Sequence, residues 1–165
     1  MKVALVPLGP VPPNVLEILR DGLAAYGIVG EVRREVGLPV AAYDARRDQY
    51  RAEPLLDVPP GGRGDRVLAV TAEDIFAEGL NFVFGLADIG GTRAVISTFR
   101  LRSPDEGRFR ERVLKEGVHE LGHTVGIGHC SDPACVMSFS NSLDEADAKG
   151  AAFCESCRSR LSGAT

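Results

Sequence analysis

All three histidines of the chain fall in one run, His119-Glu-Leu-Gly-His123-Thr-Val-Gly126-Ile-Gly-His129, and their spacing decides what chemistry they can share. Histidines four apart on a helix project from one face, one turn apart, so His119 and His123 can grip a single metal ion. Glu120, between them, points at whatever that ion activates. Gly126 can take a positive φ, end the helix and send the chain back with His129. Three protein ligands with a fourth position open is the pattern of a catalytic zinc rather than a structural one. A bare H-E-x-x-H also arises by chance on helices, as surface or core histidines. The glycine and third histidine at these spacings remove most of that coincidence.

All four cysteines follow the histidines, as Cys130-x4-Cys135 and Cys154-x2-Cys157. The spacings suit one structural zinc held by four thiolates. Two disulfides or a redox pair are the alternatives, and disulfides are disfavoured where no secretory signal is seen. A C-terminal piece below ~40 residues cannot build a core of its own, and a metal supplies the missing folding energy. Because Cys130 directly follows His129, this second site would anchor the loop that delivers the third histidine and tie it to the last helix.

The elements that must position these groups follow from periodicity. Residues 3–8 read as a buried strand, and 14–26 as a helix with Val15, Leu16, Ile18, Leu19 and Leu23 on one face and Gly27 as its stop. Residues 28–32 form a second strand. A mixed stretch, 38–64, carries Arg46, Arg47 and Arg51 and then the loop Pro59-Pro60-Gly61-Gly62. Strands are expected at 66–70, 82–86 and 94–99, the last two antiparallel because Gly90-Gly91 permits a tight reversal. Ser103-Pro104-Asp105-Glu106 reads as a serine-capped start for a helix that runs through the metal motif to about Val125. Phe109, Val113, Gly117 and Leu121 form the stripe of that helix that packs on the sheet. A second capping box, Ser142-Leu-Asp-Glu145, opens a final helix through the 150s. The expected organisation is an N-terminal α/β subdomain (1–125) that includes the active-site helix and a small C-terminal subdomain (126–165), with the cleft between them.

Bulk properties narrow the function class. At 165 residues with 44% hydrophobic and 25% charged residues, the chain fits one ordinary globular unit, burying about 70% of its unfolded surface. A net charge of -4 gives no reason to expect nucleic acid or an anionic membrane surface as partner. The apolar N-terminus is too short for a secretory signal, and no run approaches the ~20 apolar residues of a transmembrane helix. The expectation is a cytoplasmic monomer.

The run from His119 to Cys157 resembles the archaemetzincins, a branch of the metzincin metallopeptidases. Their long histidine motif, cysteine pair, methionine and closing C-x-x-C are matched here by Cys130, Cys135, Met137, Cys154 and Cys157. Upstream, Arg47-Asp-Gln49-Tyr50, Leu80-Asn-Phe-Val-Phe-Gly85 and Ala94-Val-Ile-Ser-Thr-Phe-Arg100-Leu101 also look like this family. The resemblance implies a metzincin-like α/β (α+β) fold: a mixed five-stranded sheet, a backing helix, an active-site helix, a Met-turn and a C-terminal helix. It places Met137 beneath the metal-binding histidines and the strand around 82–86 at the cleft edge, where a peptide can pair with it.

On this reading the chain is a zinc metallopeptidase with two zinc ions, one on His119, His123 and His129 and one on the four cysteines. Glu120 accepts a proton from water and passes it to the leaving amine. The second oxyanion donor is unassigned: Tyr43, Tyr50 and Lys115 are the candidates. Lys115 lies one turn before His119 on the same helical face, where an ion pair with Glu111 competes for it. With no propeptide ahead of the first strand, access is expected to be limited by cleft shape, favouring short peptides and some exopeptidase character. The alternative is a non-enzymatic or latent zinc protein with a peptide-binding cleft.

Overall fold

The first strand, β1 (Lys2–Pro7), is buried at every position after its first, which demands cover on both faces of its sheet. In the computed structural model, which describes residues 1–60 and 66–163, that cover is asymmetric. Along the chain come α1 (Pro13–Leu23), β2 (Val29–Val32), β3 (Tyr43–Asp44), β4 (Gln49–Arg51), the single turn α2 (Ala52–Leu55), β5 (Arg66–Thr71), β6 (Ile75–Phe76), β7 (Gly85–Ala87) and β8 (Arg93–Ser97). Three helices follow: α3 (Glu106–Thr124), α4 (Leu143–Ala148) and α5 (Glu155–Gly163). Five strands make a mixed sheet in the order β2-β1-β5-β8-β7, and β3, β4 and β6 make a small second sheet. In the large sheet only β7 is antiparallel, to β8, across the Gly90-Gly91 reversal.

Side chains alternate between the sheet faces. Val3, Leu5, Leu68, Val70 and Ile96 join one apolar cluster with α1 and α3, while Ala4, Val6, Val67, Ala69 and Val95 join another with Leu55, Leu56 and Ile75. The expected sheet-facing stripe of α3 is present: Val113 and Leu121 are buried in the first cluster, and Gly117 approaches Leu19 of α1 closely.

Several expected boundaries shift, each for a local reason. The cap of α3 is Asp105, not Ser103: its carboxylate accepts the Arg108 backbone N–H, while Ser103 Oγ accepts the N–H of Asp105 and stays outside the helix. The helix expected over 14–26 is α1 followed by a 3-10 turn, Ala24–Tyr26. The strand expected over 82–86 is confined to Gly85–Ala87, and that over 94–99 runs Arg93–Ser97. Ser142 does cap α4, accepting the N–H of Glu145, but no single helix runs through the 150s. The chain leaves α4 at Lys149 so that Gly150 N and Ala152 O can bond Ala134 O and Val136 N, and it re-forms as α5 only at Glu155. Gly61 and Gly62 of the expected loop lie outside the described residues. Among the described residues, no helix is long and apolar enough to cross a membrane.

Candidate active site

The last two turns of α3 carry His119 and His123, both buried. His119 Nδ1–H donates to Val136 O at 2.8 Å and His123 Nδ1–H donates to Ile127 O at 2.7 Å. With Nδ1 protonated, Nε2 of each ring is left as a lone pair. These two Nε2 atoms face one another at 3.1 Å, an arrangement of two acceptors with no hydrogen between them. Two nitrogens bound tetrahedrally to one zinc sit about 3.3 Å apart, so the donor set fits a shared cation. Gly126, at φ +87, turns the chain after α3, and Ile127 N bonds back to Gly122 O. That reversal brings His129 to ring-centroid distances of 5.4 and 4.9 Å from His119 and His123. One ligand atom from each of the three lies within 4.8 Å of the others. Loss of hydration, aided by the positive charge of Lys149, lowers the pKa of all three imidazoles, that of His119 to about 3, although His129 is itself exposed.

Glu120 is buried, and its Oε2 has no hydrogen-bond partner. Its other side packs against β7 at Gly85, where a Cβ would stand 2.7 Å from Glu120 Cγ and 2.8 Å from Oε1. Burial, then the neighbouring Glu116 carboxyl, raises Glu120 well above the usual carboxylate range. Glu116 is itself pushed up by burial and held back by the positive charge of Lys149. Lys149 Nζ donates to Ser138 O at 3.1 Å and lies 3.4 Å from His119 Nδ1. Since that nitrogen gives its proton to Val136, the second contact is Coulombic rather than a hydrogen bond. Glu116 and Lys149 were not singled out from the sequence. The signal for Glu116 was present: two glutamates four apart on a helix face that must be buried need a shared proton or a nearby cation.

These groups floor a cleft of about 430 Å³ whose walls are largely apolar. Leu80, Ile89 and Phe139 at its edge are 47%, 69% and 51% exposed, and the Phe139 ring lies 5.0 Å from that of His129. Strand β7 is the sheet edge on this side. Ser97 N bonds Phe84 O and Asp88 N bonds Arg93 O, with Leu86 opposite Val95. By antiparallel alternation the N–H and C=O of Gly85 and Ala87 then point away from β8.

None of the candidates for a second oxyanion donor lines this cleft. Lys115 is only 3% exposed; it pairs with Glu111 at 2.7 Å and donates to the carbonyls of Ala146 and Asp147. It therefore braces α3 against α4, the competing role. Tyr43 OH is given to Asp48, and Tyr50 lies in the small sheet. Met137 is fully buried, and a Cβ at Gly122 of α3 would collide with its sulfur, so it packs directly against the active-site helix.

The four cysteines are brought together, with their Sγ atoms within 4.8 Å of one another and no disulfide between them. Burial pushes the thiols of Cys135 and Cys157 up, whereas the backbone N–H of Cys157 holds Cys154 down. Cys130 N bonds Met137 O, Val136 O accepts from His119, and Cys154 N reaches Cys135 Sγ. The thiol cluster and the histidine cluster therefore share one turn, Cys135 to Ser138.

This combination of fold and clusters has counterparts. The sequence profile of Peptidase family M54 matches residues 34–163. The archaemetzincin of Methanopyrus kandleri is 46% identical over 169 residues, spanning 98% of this chain and 95% of its own. Its crystal structure superposes with a TM-score of 0.92 at 44% identity, covering 99% of this chain and 94% of that one. The archaemetzincin of Archaeoglobus fulgidus, crystallised with malonate, gives 0.91 at 41% identity over 97% and 99% of the two chains. A zinc-dependent peptidase from Methanocorpusculum labreanum gives 0.81 at 28% identity over 96% and 99%. A five-stranded mixed sheet, the paired clusters and these full-length likenesses agree: the chain belongs to peptidase family M54, the archaemetzincins, and is a zinc metallopeptidase.

Proposed function

We propose that the chain cleaves short peptides beside bulky apolar residues, with His119, His123 and His129 holding the catalytic zinc and Glu120 as general base. The observation that carries this is Glu120 itself, a buried carboxylate with an unpartnered Oε2 beside three converged imidazoles. Zinc on those imidazoles would supply Lewis-acid activation of water and of the scissile carbonyl. Glu120 takes the water proton at Oε2 and returns it to the leaving amine. Burial raises its affinity for that proton above that of an ordinary carboxylate. The free backbone groups of Gly85 and Ala87 hold the substrate as an added strand. Phe82, Phe84 and Phe139 line the cleft, so an apolar side chain gains by burial there and a charged one loses its hydration.

The four cysteines hold a second zinc, which fixes the turn that bonds His119 and makes residues 126–165 a metal-braced C-terminal subdomain. Lys149 serves as countercharge to Glu116 and Glu120. The protein works as a cytoplasmic monomer. Incubating the zinc-loaded protein with a mixture of short peptides and sequencing the products tests the substrate class. Cuts beside Leu, Met or Phe are expected; cuts confined to sites flanked by charged residues would contradict it.

A further inference from the structure

We infer that Arg47, Gln49, Asp74 and Arg100 form a clasp that fixes the apolar wall of the cleft, and that its selection among side chains depends on them as positioning residues. The inference deepens the proposed peptidase reading and rests on it for the use of the cleft. Residues 80–84 have no regular secondary structure, yet every one of them lines the cleft. Such a segment ordinarily leaves its carbonyls to water and moves. Here the carbonyls of Leu80 and Asn81 are taken by side chains from distant parts of the chain. Arg47 donates Nη2 to Leu80 O at 2.6 Å and to Asn81 O at 3.2 Å, and Nε to Gln49 Oε1 at 2.9 Å. Gln49 Nε2 in turn donates to Asn81 O at 2.9 Å and to Asp74 Oδ2 at 3.0 Å.

Arg100 completes the set with two bonds of 2.8 Å to the Asp74 carboxylate. Its guanidinium lies 4.2 Å over the Phe82 ring, and Phe82 meets Phe84 edge-on at 5.3 Å. Gln49 and Asp74 are buried, so the network sits in a low-dielectric setting where directed bonds hold geometry firmly. Val83 N adds a bond to Ile75 O at 3.0 Å. The three upstream segments that carry the family resemblance, 47–50, 80–85 and 94–101, thus meet at one place, and that place is the cleft wall. None of these bonds includes a histidine or Glu120, so the clasp is separable from the metal centre. Arg47 is exposed and its planar fork makes three directed bonds at once, which a lysine cannot reproduce.

The test uses zinc-loaded protein with Arg47→Ala, Arg47→Lys and Gln49→Ala, each checked for zinc content. Inhibition is read with leucine hydroxamate and glycine hydroxamate, which chelate zinc and require no turnover, and amide exchange is read over residues 80–84. The parent should favour leucine hydroxamate by about ten-fold. All three variants should keep zinc, exchange 80–84 faster and narrow that preference to about two-fold, with Arg47→Lys failing to restore it. An unchanged preference in the variants overturns the inference, whatever the exchange rates do, as does a parent with no preference. A parent that discriminates but cleaves no peptide contradicts the proposed reaction while leaving the clasp standing.

Discussion

At the residue scale, the three histidines are held toward their neutral, less hydrated form. A ligand imidazole whose pKa is lowered keeps its lone pair as the pH falls, so protons compete less with zinc. Three ordinary imidazoles titrating at 6.5 would lose about a thousand-fold in zinc affinity on going to pH 5.5. With His119 pushed down to about 3 and His123 and His129 also lowered by loss of hydration, His119 drops out of the competition and the loss at this site should be less than about a hundred-fold. Chelator competition at pH 7.5 and 5.5 checks it. Glu120 is positioned by what Gly85 lacks. In Gly85→Ala the new Cβ would stand 2.7 Å from Glu120 Cγ and 2.9 Å from Val95 O, so the carboxylate must move. We expect kcat to fall about 10–100-fold with zinc retained, measured by steady-state kinetics alongside metal analysis. The convergence of His119, His123 and His129 with Glu120 beside them was legible because groups that share one cation need fixed spacing within one segment, whereas Met137 was singled out only through the family resemblance. Lys149 was not, because nothing local to α4 reveals that its end folds back beside His119.

At the element scale, the sequence signalled the five strands of the large sheet, α1 and α3 better than it signalled their ends, while the small sheet β3-β4-β6 lay partly in a stretch read only as mixed. Periodicity identified α3 and its sheet-facing stripe, but the choice between Ser103 and Asp105 as cap depends on which side chain reaches the Arg108 N–H. The break between α4 and α5 arises from pairing with the distant segment 134–136, which no local propensity records. The same distance hid the clasp, whose members are brought together by the small sheet. Lys115 shows how helix phase alone misleads: one turn from His119, it is drawn to the carbonyls at the end of α4. Lys115→Ala should therefore leave zinc content and kcat intact while destabilising the fold by about 1–3 kcal/mol through the lost carbonyl bonds. Urea unfolding measures the second effect, and a loss of turnover at full zinc occupancy would return Lys115 to the mechanism.

At the scale of the whole molecule, the histidine and cysteine clusters are linked through the turn Cys135 to Ser138, which bonds both Cys130 and His119. On the proposed two-zinc assignment, Cys157→Ser should reduce bound zinc from two ions to one and weaken the remaining histidine site about ten-fold, because the carbonyl that accepts from His119 loses its anchor. Metal analysis with chelator competition reads both. A protein that keeps its full histidine affinity without the thiol metal would show the clusters to be independent. The large sheet presents β7 at its edge with Gly85 against Glu120, where the proposed substrate strand would pair. The most direct test of that account compares peptide hydrolysis by the zinc-loaded protein and by Glu120→Gln at equal zinc content. Cleavage by the parent and a loss of at least about a thousand-fold in the variant are expected. Equal turnover by the two proteins, or none by a fully zinc-loaded parent, would contradict it.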